Sequence, residues 1–219
     1  MAPTPARPTP RELGRELRGV VQDLPRFVTA PLYRKWHLNW GATPAEIAAS
    51  LPGDELLSRA QYRSTRAITI DAPRDAVWPW LVQVGCQRAG FYSNDLLDNL
   101  ARPSATTIIA DLQHLEVGQR VPMSPSPTPS DRTDFTVHSF ESDRWLLWTK
   151  SDSTWAWQLT RTRTGTRLVT RIQAVYAWEH PLSAAMGVVL MEFGDFAMLR
   201  RMLLGIKARA ELLASTPSR

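Results

Sequence analysis

Between residues 133 and 178 the chain reads as four strand-length segments, about 133 to 141, 144 to 151, 154 to 163 and 166 to 178, with a two-residue turn between successive segments. Gaps that short close only antiparallel hairpins, because a parallel neighbour needs a crossover of about a dozen residues. The chain is therefore committed to an antiparallel meander. Alternation puts Trp155, Trp157 and Leu159 on one face. In the last segment Leu168, Thr170, Ile172, Ala174, Tyr176 and Trp178 share a face, while Arg167, Arg171 and Gln173 take the other. One apolar, aromatic face and one wet face mean that this sheet covers something apolar on one side only.

The flanks supply the cover. Leu182 to Leu213 reads as one long C-terminal helix. Upstream, Thr65 to Ile70 is β-branched and alternating, and Asp71-Ala72-Pro73 opens a helix whose apolar face is Val77, Trp80, Leu81 and Val84. Pro79 should bend that helix and Gly85 end it. Ser93 caps a second helix carrying Leu96, Leu97 and Leu100, and Pro122 to Pro129, with four prolines, is a loop.

The N-terminal part is helical. Thr9-Pro10-Arg11-Glu12 fits a capping box with proline at the first helical position. Leu13, Leu17, Val20, Val21 and Leu24 then make one narrow apolar stripe, with Arg11, Arg15 and Arg18 opposite. The stripe is expected to dock on the main body; the alternative is a helix lying on anionic lipid or against a partner. Thr43-Pro44-Ala45-Glu46 repeats the capping pattern, and Trp36 and Trp40 lie between the two helices. The organisation expected is a Pro-rich tail at 1–10, a helical extension at 11–62, one domain at 63–214 and a short tail at 215–219.

Charge and composition exclude several function classes. The net charge is +5, but residues 1 to 35 hold seven basic side chains against three acids, so the other 184 residues carry only about +1. A nearly neutral body lacks the basic footprint that phosphate binding needs, and nucleic acid is not an expected partner. The longest uncharged apolar run, Pro181 to Met191, is eleven residues, short of the roughly 18 to 20 of a membrane span, so no membrane partner is expected for the main body. Met1 to Pro10 has four prolines and no apolar signal core, which makes a cytoplasmic location the expectation. Cys86 is the single cysteine and the four histidines are scattered, so neither a disulfide nor a metal site is expected. No glycine-rich loop precedes a helix at nucleotide-binding spacing, so no cofactor is expected either.

The terminal helix carries the sequence's best chemical candidates. At roughly 100 degrees per residue, Val188, Phe196, Leu199, Leu203, Ile206 and Ala210 lie within about 40 degrees of Glu192. Asp195 lies on the same side. Two carboxylates in an apolar stripe are paired, protonated or facing a wet cavity. In the last two cases Glu192 and Asp195, with Tyr176 on the last strand, are candidates for acid-base work, and Thr170 for bonding a ligand oxygen. Trp80, Trp155, Trp157 and Trp178, with Phe196 and Leu199, are candidates for the walls of a small-molecule pocket. Gly187, Gly194 and Gly205 share one strip of the helix, where another element should come close.

Several segments resemble a known group of proteins: Trp36 to Thr43, Leu51 to Glu55, Ser64 to Pro73, Val77 to Gln83, Arg88 to Ser93 and Met202 to Lys207. Together with the order of strand, two helices, meander and long terminal helix, they resemble the SRPBCC superfamily of START-like and polyketide cyclase/dehydrase-like proteins, in an uncharacterised actinobacterial subgroup. The resemblance implies an α+β helix-grip fold, a curved antiparallel sheet of six to seven strands wrapped around the C-terminal helix. It also implies an internal cavity for a hydrophobic, aromatic or polyketide-like molecule, with Tyr92 at its rim. Function is then cyclase- or dehydratase-like catalysis by Glu192, Asp195 and Tyr176, or carriage or sensing of a lipid-like ligand without chemistry. Oligomeric state stays open.

Overall fold

The alternation read from the sequence becomes a six-stranded antiparallel sheet in the computed structural model, which describes residues 9–216 apart from 30–32, 125, 127, 129, 132, 177–184 and 186. The strands are β1 (Tyr62–Ile70), β2 (Arg120–Val121), β3 (Phe135–Glu141), β4 (Trp145–Lys150), β5 (Ser153–Arg161) and β6 (Thr166–Ala174). Their order is β1-β6-β5-β4-β3-β2, so the meander is continuous and only β1 joins by a long return. The last strand stops at Ala174 rather than 178. Tyr176 lies beyond its end, and Trp178 lies outside the described residues.

The α-helices with bounds among the described residues are α1 (Pro10–Thr29), α2 (Arg34–Leu38), α3 (Pro44–Ala48), α4 (Arg74–Val82), α5 (Asp95–Asp98) and α6 (Asp195–Ser215). The capping box expected at Thr43 is complete, with Glu46 N–H donating to Thr43 Oγ1 at 3.2 Å and Thr43 N–H to the Glu46 carboxylate at 2.7 Å. Helix α4 ends at Val82, three residues before Gly85. That glycine instead takes a φ of +142° and bridges to Gly90. Asn94, not Ser93, is the N-cap of α5.

The inner face of the sheet and helices α4 and α6 enclose the main core: Tyr62, Ile70, Trp80, Leu81, Leu146, Trp148, Trp155, Trp157, Leu168, Leu199, Leu203 and Ile206, among others. This is the helix-grip architecture. Gly205 permits a close approach of α6 to the backbone at Tyr92. A Cβ there would stand 2.2 Å from the Tyr92 carbonyl oxygen, so the expected close contact is real at this glycine. Gly205→Ala forces the backbone apart, and about 2 kcal/mol of stability should be lost, read by urea unfolding.

Two expectations about the surface are overturned. The outer face of the sheet is not wet, because residues 41 to 56 cover it: Leu51 packs with Ala67, Leu147, Ala156 and Val169 in a second small core. Arg171 is buried there and donates to Thr65 Oγ1, the Asp54 carboxylate and the carbonyls of Glu46, Ile47 and Ala49. Its guanidinium stays hydrated in effect, by protein oxygens, which is why an arginine can occupy the sheet face. The second correction concerns α1. It docks through Gly19, whose carbonyl accepts from Arg201 at 2.9 Å, and leaves Leu17, Val21 and Leu24 exposed.

Candidate functional site

The C-terminal helix is not one regular α-helix. Leu190–Gly194 forms a π-helical turn ahead of α6. An extra residue in one turn rotates everything before it by about 100 degrees relative to the helix that follows. The wheel drawn from the sequence therefore holds for Phe196, Leu199, Leu203, Ile206 and Ala210, all buried, but not for Glu192. Glu192 turns instead toward α2, where Arg34 grips it with two bonds of 2.7 Å. That contact, more than any other influence, raises the Arg34 guanidinium's affinity for its proton.

Asp195 points inward from the first turn of α6 and meets β1. Its Oδ2 accepts from the Tyr62 hydroxyl at 2.6 Å and from Arg66, which is itself only 1% exposed. Tyr62 and Arg66 are four residues apart on a strand and so share its inner face. Arg66 also donates to the His37 carbonyl at 2.7 Å and, more weakly, to the Tyr62 oxygen at 3.3 Å. Each nitrogen of this buried guanidinium thus meets an oxygen. Burial and the adjacent Asp195 charge hold the Tyr62 phenol well above its ordinary range. The carboxylates expected to border a void are each neutralised by an arginine. Tyr62 and Arg66 were missed by sequence reading, although an arginine among inward β-branched positions was the available signal.

The aromatic candidates gather around the sheet's centre. Trp155 and Trp157 stack on each other at 4.9 Å, and Trp148 meets both edge-on at 5.3 and 5.7 Å. Trp155 Nε1 donates to Thr170 Oγ1 at 2.9 Å, and that hydroxyl donates to the Ala156 carbonyl at 2.9 Å, so Thr170 is used by the protein itself. Trp80, on α4, belongs to the same core and meets the Tyr92 ring edge-on at 5.8 Å. The indole N–H groups of Trp80, Trp148 and Trp157 are buried and meet no acceptor among the described residues. Three unmet donors in one core are unusual, since interior polar groups are nearly always paired.

The remaining candidates are held elsewhere. Phe196 lies under the His37 ring at 4.0 Å and beside Trp36 at 5.2 Å, so it anchors the N-terminal extension instead of facing the tryptophan cluster. Tyr92 is not a free rim residue: its hydroxyl donates to the Trp80 carbonyl at 3.1 Å and Arg209 covers its ring at 4.7 Å. Leu199 belongs to the main core. Tyr176 is half-buried, its phenol pushed up to about 12 by burial and then by the Glu192 carboxylate. Cys86 is buried, which raises its thiol.

One acid that the sequence did not single out stands apart. Both carboxylate oxygens of Asp98, on α5, are buried without a well-formed hydrogen bond among the described residues. Burial chiefly pushes the group up to about 7; the pull of the nearby Ser93 hydroxyl is smaller, and Asp95 repels it further. Asp95 itself is occupied by the backbone N–H of Ser104 at 2.9 Å and by that residue's hydroxyl. Two surface hollows lie away from the tryptophan cluster and from Asp195. One, of about 540 Å³, is bounded by Pro73 to Asp75, Asp143 and Arg161 to Gly165; the other, of about 450 Å³, lies between Gln22 of α1, Tyr92 and Ser93, and Arg200, Arg201, Leu204 and Gly205 of α6. Among the described residues no group of three metal-ligating side chains occurs.

Sheet, terminal helix and aromatic interior together define an α+β protein of the helix-grip class. No protein-family model matches the chain, and no curated protein matches it. Solved structures similar to it include the Polyketide_cyc-like protein Cgl2372 from Corynebacterium glutamicum, at 14% identity and a TM-score of 0.43, over 72% of this chain and 97% of that one. The AHSA1-like protein from Aeromonas hydrophila matches at 15% identity and a TM-score of 0.38, over 72% and 99%. Protein SSP2350 from Staphylococcus saprophyticus matches at 11% and 0.41, over 72% and 98%.

Proposed function

We propose that the chain binds a flat, hydrophobic, carbonyl-bearing small molecule among the tryptophans of its interior, and that it binds without acid-base chemistry. The observation that supports the reading is the set of unmet indole donors on Trp80, Trp148 and Trp157. An unsatisfied buried donor costs about 1 to 3 kcal/mol, and an acceptor on a bound ligand recovers that cost. The same rings offer the stacking surface that an aromatic or polyketide-like ligand needs. The pairing of Glu192 with Arg34 and of Asp195 with Arg66 engages with guanidinium groups the two carboxylates that cyclisation or dehydration would use.

The test uses tryptophan fluorescence with two probes of similar shape, a hydroxyanthraquinone and anthracene. Trp148→Phe and Trp157→Phe keep an aromatic ring and delete one donor each. Each variant should weaken quinone binding about fivefold to tenfold and leave anthracene binding nearly unchanged, the difference being one hydrogen bond of about 1 kcal/mol. Equal losses for both probes, or no quinone binding by the wild type, would overturn the proposal. So would turnover of the quinone or of a poly-β-ketone analogue, followed by mass spectrometry.

A further inference from the structure

Helix α1 presents to solvent the face that its sequence would bury. Leu17, Val21 and Leu24, at i, i+4 and i+7, are 50%, 67% and 55% exposed. Its contact with the body runs through Gly19, where Arg201 of α6 donates to the glycine carbonyl and a Cβ would meet that guanidinium at 2.9 Å. Burial follows the same geometry: Gly19 is buried, Val20 partly so, and Arg11, Arg15 and Arg18 are exposed. At about 100 degrees per residue, Arg11 and Arg18 flank the aliphatic stripe, each about 100 degrees from its centre, while Arg15 lies further round toward Gly19. The outward surface of α1 is therefore an aliphatic stripe with Arg11 and Arg18 exposed along one edge.

We propose that α1 is a membrane-surface helix that lays Leu17, Val21 and Leu24 into the headgroup boundary of an anionic bilayer, with Arg11 and Arg18 on lipid phosphates. An amphipathic helix with a basic flank has this preference because apolar burial and attraction to anionic lipid add. Charge complementarity selects a bilayer over a second copy of the chain: two copies meeting through this stripe would bring two rows of arginines together, a repulsive arrangement. No helix of the described residues is long and apolar enough to cross a membrane, so attachment is peripheral. The proposal is independent of what the interior binds.

Co-sedimentation of the full chain with vesicles tests it. The wild type should pellet with vesicles of phosphatidylglycerol in phosphatidylcholine at low salt, much less at high salt, and little with phosphatidylcholine alone. The combined variant Leu17→Ser, Val21→Ser, Leu24→Ser should lose about tenfold or more in partitioning with an unchanged circular dichroism spectrum. Leu212→Ser, which alters an equally exposed leucine on α6, should partition like the wild type. Arg11→Gln with Arg18→Gln should weaken binding to the anionic vesicles and reduce its salt dependence. The proposal falls if the wild type stays in the supernatant, if it prefers neutral vesicles, or if the serine variant pellets like the wild type. It also falls if sedimentation equilibrium shows a wild-type dimer that the serine variant loses, because the stripe is then a contact between copies.

Discussion

Arg66→Met should destabilise the protein by about 3 to 5 kcal/mol, a larger loss than Gly205→Ala should produce. The methionine nearly fills the volume of the arginine stem, so the loss is electrostatic. It strands Asp195, whose remaining partner is the Tyr62 hydroxyl, in a site where the carboxylate is 11% exposed. It also leaves the His37 carbonyl without the donor that ties α2 to the sheet. Asp195→Asn should cost less, because an amide still accepts from Tyr62 and from Arg66, but it leaves the guanidinium unneutralised. The informative variant is the double one, Arg66→Met with Asp195→Leu. Replacing both members of a buried pair by apolar groups restores much of what breaking it loses, so the double variant should be more stable than Arg66→Met alone. Urea unfolding at neutral pH gives all three differences. If Arg66→Met unfolds within about 1 kcal/mol of the wild type, the pair is not structural. The acid-base reading of Asp195 would then regain its footing.

That pair also shows where sequence reading stops. The strands were legible because alternation and two-residue turns are local, and β3, β4 and β5 begin and end within about two residues of the segments read from the pattern. β2, two residues long, was too short to leave a pattern. The placement of Glu192 and Asp195 on the C-terminal helix was legible too, but their partners lie 158 and 129 residues away in the chain. Helical periodicity fixes a residue's phase on its own element and says nothing about what the fold brings opposite. The π-helical turn adds a second failure, because a one-residue insertion in phase has no marker in a run as uniformly apolar as Pro181 to Met191. Alternation places Arg171 on the face away from the tryptophans, but the carbonyls of residues 46, 47 and 49 that allow its burial there belong to a segment with no strand pattern of its own. The tryptophans were recognised as a set. Which of them lack an acceptor depends on a few tenths of an ångström that composition does not carry.

Raising the pH from 5 to 8 should destabilise the protein through Asp98, and Asp98→Asn should abolish that part of the loss. An unfolded aspartate titrates near 3.8, whereas burial without a well-formed hydrogen bond pushes the folded group up to about 7. Between those values the folded state holds a proton that the unfolded state has released. The stabilisation from that proton is complete below about pH 4 and is lost as the pH rises through about 7. A displacement of that size corresponds to a few kcal/mol at most, at about 1.4 kcal/mol per pH unit. Asp98→Asn keeps the shape of the side chain and removes its charge. It should leave stability near pH 4 almost unchanged and raise it at pH 8 by about 2 kcal/mol or more, which for a chain of this size is a rise in Tm of about 4 to 8 °C. The opposite sign is expected for Glu46, whose carboxyl the Arg167 guanidinium holds down to about 2, so its pairing stabilises above the ordinary carboxylate range and is lost only in strong acid. The two groups therefore separate in a pH series. A Tm difference between wild type and Asp98→Asn that is constant from pH 4 to 8 would show that Asp98 carries its charge throughout this range, and burial would then not govern its titration.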